Sequence, residues 1–342
     1  MGPFPQGNVL DLYNNYQTYP SRLACRAITG AWKSTPIDAL EALLNLPPLH
    51  ILIQSEAIKT LDRIASLDDK NLTPTEHTNT WFKAKDFLPV LSMPSDKITK
   101  VFTLDRDFEV VVPSREEWLN GTFPPKIGTV LYTDGSVIKD NAGAGMYCSK
   151  LNIEMQIPLG EFSSIFLVEL RAILAAGHSL VDDNSIRQSI YICSDSQAAL
   201  KALKSYTQSS ALSLECWHLV NQIAQVNNLK LVWVPAHSGF EGNEKADTLA
   251  KAAALSKTYG PEPITSVPPS IAERQILSLR EKKFREHWAN IRSCRQSKHC
   301  IRISRINTKY LINANVLIRA VTNAVTILTQ LSIFCVTALP TS

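Results

Sequence analysis

The sequence predicts an α/β fold for residues 128–256, in which a mixed five-stranded sheet carries flanking helices, with helical segments before and after it. In this region three β-rich runs come first and helical runs then alternate with strands, which is the order of a mixed sheet covered by helices. Outside it, apolar residues recur at helical spacing between residues 21 and 65. The predicted strands and helices of this region are Thr129–Thr133, Ala144–Ser149, Ile153–Leu159, Ser189–Cys193 and Lys230–Pro235, and Ser164–Val181, Gln197–Ser205, Ala211–Val226 and Asn243–Leu255.

Composition divides the chain into five segments. In the first, Leu40, Leu43 and Leu44 lie at helical spacing, and Pro47-Pro48 interrupts the helical run. The second segment is rich in Thr and Pro and is predicted to be a polar linker. Prolines also mark a hinge after the α/β region. The predicted segments are a helical segment at 1–65, a linker at 66–127, the α/β domain at 128–256, a Pro-rich hinge at 257–270, and a basic helical segment with an apolar tail at 271–342.

Charge and cysteine usage bear on partners and compartment. Residues 271–319 hold 12 Lys and Arg against three Glu, although the whole chain carries only +4. Such a segment is typical either of a surface that binds a polyanion or of a solvated helical face. The seven cysteines are scattered with no C-x-x-C pair, which favours a reducing, intracellular location over secretion and leaves nucleus and cytoplasm open. Residues 320–342 are uncharged but too polar to predict a membrane span.

Two aspartates follow apolar runs that resemble buried strands. Asp134 comes after Val130-Leu131-Tyr132-Thr133, and Asp195 comes after Ile190–Ser194. If the two strands are parallel neighbours, both carboxylates emerge at the same edge of the sheet, where open α/β sheets place their sites. Taken singly, each aspartate is equally typical of a turn or a helix cap.

Glu169 and a loop that contains His237 are the other candidates for chemistry. Glu169 falls on the apolar stripe of its predicted helix, where a carboxylate must be neutralised, paired or bound to a metal. His237 lies on a loop between a predicted strand and a predicted helix, and Asp247 lies in the first turns of that helix.

These residues together resemble type 1 ribonuclease H. The motif sequences are most similar to those of the domain found in insect-type non-LTR retrotransposon polyproteins. The resemblance covers residues 128–256, and four motifs occur in the family's order and spacing. It implies a ribonuclease H-like fold and identifies the chain as a fragment that lacks the reverse transcriptase core. The motifs are TDGS at 133–136, Glu169 within a helix, SDSQAAL at 194–200 and WVPAHSGFEGNEKAD at 233–247.

The resemblance implies an endonuclease that hydrolyses the RNA strand of RNA–DNA hybrids by a two-metal-ion mechanism. Asp134 is expected to bridge two Mg²⁺ ions, for which Mn²⁺ can substitute. Glu169 and Asp195 would then hold mainly one ion and Asp247 the other, because Mg²⁺ prefers carboxylate oxygens. His237 is expected to assist proton transfer or product departure. Recognition of RNA requires contacts to 2′-hydroxyls, for which Glu169 and the backbone at Gly135 and Ser136 are the candidates.

The flanks also resemble such polyproteins. Residues 21–65 are similar to the end of a thumb and connection region, and no Tyr-x-Asp-Asp polymerase motif occurs. Cys294, His299, Cys300 and Cys335 lack the spacing of a zinc knuckle, so no zinc site is predicted. Two alternatives stay open: an inactive nucleic-acid-binding remnant of a mobile element, and another member of the superfold such as an integrase, which TDGS and the His237 loop disfavour.

Overall fold

The computed structural model describes residues 23–66, 78–123, 127–182, 187–256 and 266–300. The described parts of residues 63–71 and 89–273 form one compact unit, which contains the predicted α/β region. The described parts of residues 1–62, 72–88 and 274–342 form a second, helical unit.

A six-stranded mixed sheet is the centre of the α/β unit. The strands of this unit are β1 (Lys97–Phe102), β2 (Glu109–Val111), β3 (Thr129–Ile138), β4 (Asn141–Cys148), β5 (Ile153–Gly160), β6 (Ser189–Ser194), β7 (Thr207–Ser210) and β8 (Asn228–Trp233). The order in the sheet is β2-β8-β6-β3-β4-β5, with parallel pairing from β2 to β3 and antiparallel pairing from β3 to β5. A separate antiparallel ribbon joins β1 to β7.

Several helices begin at serine residues whose side chains cap them. The Ser196 and Ser210 side chains each accept a hydrogen bond from the backbone N–H three residues later, and Ser114 forms a capping box with Glu117. The helices are α1 (residues 23–29), α2 (Ile37–Leu44), α3 (Leu49–Ala65), α4 (Asn79–Lys85), α5 (Arg115–Leu119), α6 (Ile165–Asp182), α7 (Gln197–Lys204), α8 (Ala211–Ala224), α9 (Glu241–Leu255), α10 (Pro269–Asn290) and α11 (Arg295–Cys300), with a 3₁₀ turn at Pro89–Ser92.

Helices α6 and α9 cover opposite faces of the sheet. A Cβ added to Gly145 of β4 would lie 2.2 Å from the carbonyl oxygen of Ala246 in α9, and Gly143 meets the same helix. Gly135 of β3 pairs with Ala144, which projects to the other face, and a Cβ there would lie 3.0 Å from the backbone nitrogen of Glu169 in α6. These glycines therefore let α9 approach β4 and let α6 approach β3, the strand that carries the TDGS motif.

The predicted α/β fold is confirmed, and the sheet has one strand more than the five expected within residues 128–256. The five expected strands correspond to β3, β4, β5, β6 and β8, and β2 is the sixth. Strand β2 comes from the segment predicted to be a linker. With three residues it is too short for a periodic pattern, and it is held by parallel pairing with β8 and by the ion pair between Glu109 and Lys230 at 2.6 Å.

Other differences concern the ends of elements. Strand β3 continues past the predicted end at Thr133 to Ile138, because its second half pairs with β4 after pairing with β6 has ended. The segment predicted to be a linker also contains α4, the 3₁₀ turn, β1 and α5. The segment boundaries stay predictions, and residues 1–22, 257–265 and 301–342 lie outside the described residues.

The helical unit has the two helices expected around Pro47-Pro48, namely α2 and α3. Leu40 and Leu44 of α2 pack with Cys25 in a small buried cluster. Across the residues that the structure describes, no helix is both long and apolar enough to cross a membrane.

Candidate active site

Asp134 and Asp195 lie side by side because β3 and β6 are parallel neighbours. The register pairs Thr133 with Ser194, so the two aspartates follow the last paired residues of this ladder. Asp134 lies within β3 rather than at its end, and Asp195 directly follows β6. Their carboxyl groups share a hydrogen bond. The indole Nε1 of Trp233 donates to the backbone oxygen of Asp195 at 3.1 Å and holds this turn in place.

Glu169 reaches the two aspartates from α6. One carboxylate oxygen each from Asp134, Glu169 and Asp195 lies within 4.8 Å of the others. The approach depends on Gly135, because an added Cβ would stand 3.1 Å from Cδ of Glu169. The Oε2 atom of Glu169 is buried and has no hydrogen-bond partner among the described residues. An acceptor in that position needs a cation or a donor that the described residues do not supply.

Burial and mutual repulsion make this cluster unfavourable when every carboxyl is ionised. Burial, with the charges of Asp195 and Asp247, raises the pKa of Asp134 to about 8. Burial also raises the pKa of Glu169 well above its usual range, and Asp134 and Asp195 raise it further. Burial raises the pKa of Asp195, whereas the hydrogen bond from Asp134 and the nearby His237 oppose this rise. Three carboxyls that repel in this way are a suitable ligand set for a divalent cation.

A second group of candidate ligands comes from the loop after β8 and from α9. Ligand atoms of His237, Glu244 and Asp247 lie within 4.8 Å of one another. His237 is exposed, with a left-handed φ of 48°, and the backbone N–H of Gly239 donates to Glu244 at 3.4 Å. Asp247 accepts a hydrogen bond from Lys251 one turn later in α9, at 2.6 Å.

The two groups of residues act on one another electrostatically. The charge of Asp247 raises the pKa of both Asp134 and Asp195, and the charge of His237 lowers the pKa of Asp195. The structure therefore brings all five residues that the sequence singled out into one region. Gly135 and Ser136 lie beside it in β3, and the position of Gly135 is already explained by its contact with Glu169.

Sequence analysis missed two residues that shape this region. Glu244 joins His237 and Asp247, and its spacing of three residues before Asp247 was the available signal, since that spacing puts both side chains on one helix face. Trp118 of α5 is buried, packs on Phe240 with ring centroids 4.8 Å apart, and donates to the carbonyl of Trp233 at 2.9 Å. Its distance along the chain from both partners left no local signal.

Comparison with known proteins agrees with this geometry. Residues 126–255 match the family model described as RNase H. The chain contains a ribonuclease H domain. The match ends where α9 ends and includes Asp134, Glu169, Asp195, His237 and Asp247.

Several bacterial proteins are similar to this domain. A protein named Ribonuclease H from Tolumonas auensis is 28% identical over 142 residues, which cover 37% of this chain and 89% of the relative. Ribonuclease HI from Pasteurella multocida is 29% identical over 152 residues, which cover 39% of this chain and 96% of the relative. Ribonuclease H from Nitrosococcus oceani is 30% identical over 76 residues, which cover 22% of this chain and 51% of the relative. Strand β1, strand β2 and helix α5 precede the residues that the family model matches.

Proposed function

We propose that this chain is a ribonuclease H that hydrolyses the RNA strand of RNA–DNA hybrids. The observation that carries the proposal is the group of three carboxyls, from Asp134, Glu169 and Asp195, within 4.8 Å in a domain that matches the RNase H family. The names of the bacterial relatives support the same activity. No other chemistry explains as directly why three acids are buried together.

The donor set fits divalent metal ions. Asp134, Glu169 and Asp195 would hold one Mg²⁺, and Asp134 with Asp247 would hold a second, for which Mn²⁺ can substitute. The free, buried Oε2 of Glu169 supports this assignment, because it has no donor among the described residues. When bound, such ions activate a water and neutralise the charge that develops on the leaving oxygen.

The remaining residues of the site position the substrate and move a proton. His237, exposed on its loop and within 4.8 Å of Asp247 and Glu244, is placed to exchange a proton with solvent. The backbone at Gly135 and Ser136 and the carboxylate of Glu169 are our candidates for contacts to 2′-hydroxyls, which distinguish RNA from DNA.

We also propose that the chain derives from a non-LTR retrotransposon and acts inside the cell. The amino-acid sequences of the four motifs support this origin, as do the helices of residues 23–66 upstream of the domain. The scattered cysteines, of which Cys25, Cys193 and Cys216 are buried and unbridged, are in keeping with a reducing compartment.

Cleavage of a labelled RNA–DNA hybrid by the purified chain in Mg²⁺ tests the activity. We expect cleavage of the RNA strand, none of a DNA duplex, and loss of cleavage in Asp134→Asn. A folded chain that binds the hybrid without cleaving it would instead be an inactive remnant. Strand transfer between DNA ends would assign the chain to another member of the superfold.

A further inference from the structure

The ribbon of β1 and β7 is an addition to the ribonuclease H domain. Strand β1 comes from residues before the family match and pairs with β7, which lies inside it. One end of the ribbon is anchored by Asp96, whose carboxylate accepts hydrogen bonds from the Leu212 N–H and the Ser266 hydroxyl, each at 3.0 Å. The ribbon is therefore fixed to the N-terminus of α8.

The other end of the ribbon is anchored as firmly. Arg106 donates from Nη1 to the carbonyl of Lys204 at 2.6 Å, and the Asn221 side chain accepts from the Asp107 N–H at 2.7 Å. Gln208 of β7 is buried and donates to the carbonyls of α7 and its C-cap at 3.0 and 3.2 Å. These bonds leave the ribbon little freedom to fold its outer side chains against the domain.

Large apolar side chains nevertheless remain on the outside. Val101 pairs with the buried Gln208, so the next residue, Phe102, projects from the outer face, and 70% of its surface is exposed. Leu104 is also 70% exposed, and Tyr206 is 59% exposed. The guanidinium carbon of Arg106 lies 5.8 Å from the centroid of the Tyr206 ring. Several exposed apolar side chains at one end of an anchored ribbon make this end a candidate binding surface.

The charges around these rings point to the class of ligand. Cations outnumber acids on the ribbon, its following turn and α7, and several of them are exposed. Phosphates complement such charges, and aromatic rings beside cations are the usual surface for unpaired nucleotides, whose bases stack on the rings. The cations are Lys97, Lys100, Arg106, Lys201 and Lys204, and the acids are Asp105 and Asp107.

The surface also lies at a useful distance from the carboxylates. Helix α7 connects them, since it starts two residues after Asp195 and ends two residues before Tyr206. Its eight residues span about 12 Å at 1.5 Å per residue. This length corresponds to about four nucleotides at 3.4 Å per step. A strand whose scissile phosphate lies at the carboxylates can thus reach the ribbon.

We propose that the exposed end of the β1–β7 ribbon, where Phe102 ends β1 and Tyr206 precedes β7, binds unpaired nucleotides that flank the hybrid, with bases stacked on these two rings. This inference rests on the proposed function, because it extends the substrate from the hybrid to its single-stranded overhang. A blunt hybrid has no unpaired base for the rings and gains nothing from the ribbon.

The test compares the affinity of the full-length Asp134→Asn chain in Mg²⁺ for a blunt 12-base-pair hybrid and for the same hybrid with eight-nucleotide overhangs. Fluorescence anisotropy measures both dissociation constants. We expect the overhangs to tighten binding about tenfold or more, from the usual strength of base stacking on aromatic rings. The added substitutions Phe102→Ala and Tyr206→Ala should bring the ratio of the two constants close to one. Phe102→Trp should preserve the ratio, because the ring remains.

Phe87→Ala is the matched control, since Phe87 is 69% exposed but belongs to the helical unit. It should leave the ratio unchanged. A ratio near one in the parent chain, or one that survives loss of both rings, would overturn the inference while blunt-hybrid binding still supports the proposed function. If neither hybrid binds, both proposals fail. If the parent chain is a dimer in sedimentation, and Phe102→Ala with Tyr206→Ala makes it a monomer without changing the ratio, the ribbon is a protein interface and the inference is overturned.

Discussion

Replacing Asp134 with Asn should change how the stability of the metal-free α/β unit depends on pH. In the unfolded chain the Asp134 carboxyl ionises near pH 3.8, whereas in the folded chain burial and the charges of Asp195 and Asp247 raise its pKa to about 8. Between these values the folded state keeps a proton that the unfolded state has lost. The free energy of unfolding must therefore fall as the pH rises through this window.

The size of the effect follows from one retained proton. Each pH unit costs about 1.36 kcal/mol per proton, so the wild type should lose about 3 kcal/mol between pH 5 and pH 7 through this group. Asn cannot ionise, so between pH 5 and pH 7 the free energy of unfolding of Asp134→Asn should fall by about 3 kcal/mol less than that of the wild type. Glu169 lies in the same cluster with its pKa raised, so it contributes a slope of the same sign to both proteins.

Urea unfolding in EDTA at pH 5, 6 and 7, followed by amide NMR resonances of β3 and β6, reports this unit alone. Asp105→Asn is the control, because Asp105 is an exposed aspartate of the same unit, and it should follow the wild type. Addition of Mg²⁺ should stabilise the wild type more at pH 7 than at pH 5, since metal ligands must be ionised. Parallel pH dependence in the wild type and Asp134→Asn would refute the reasoning.

Three further predictions concern neighbouring features. Lys251→Met removes the ion pair that competes for Asp247, so Mg²⁺ affinity measured by calorimetry should rise about two- to fivefold, and unchanged or weaker binding would contradict this. Burial raises the pKa of Glu41 to about 7, so the helical unit should lose up to about 3 kcal/mol as the pH rises from 4.5 to 7; Glu41→Gln should abolish this loss in urea unfolding. Gly145→Ala places a Cβ 2.2 Å from the carbonyl of Ala246 and should lower the free energy of unfolding by about 3 kcal/mol. A variant that unfolds at the same urea concentration as the wild type would show that α9 can shift without cost.

Much of the fold could be predicted because its signals are local. Alternating strand and helix patterns over 128–256 predicted five of the six strands of the main sheet and the helices between them, with ends that differ from the structure by a few residues. The wheel position of Glu169 predicted a buried carboxylate, and the apolar runs before Asp134 and Asp195 predicted two buried strands, which are β3 and β6. The sequence left their parallel pairing as a condition, which the structure meets.

What the sequence missed depends on contacts between distant residues. Strand β2 has three residues and exists through its pairing with β8, more than a hundred positions away, as does the β1–β7 ribbon. Trp118 supports the His237 loop through contacts with Trp233 and Phe240, which no local pattern indicates.

By itself the sequence determined which acids and which histidine this protein has, the order of most elements within residues 128–256, and the likeness of its motifs to ribonuclease H. Short-range preferences suffice for these, because they act over a few neighbouring residues. Only the tertiary structure decided that Asp134, Glu169 and Asp195 approach within 4.8 Å, that Glu244 joins His237, and that the ribbon exposes its rings. Distances between side chains on separate elements set the repulsion, the proton affinity and the exposed surface, and such distances arise only when the sheet and its helices pack.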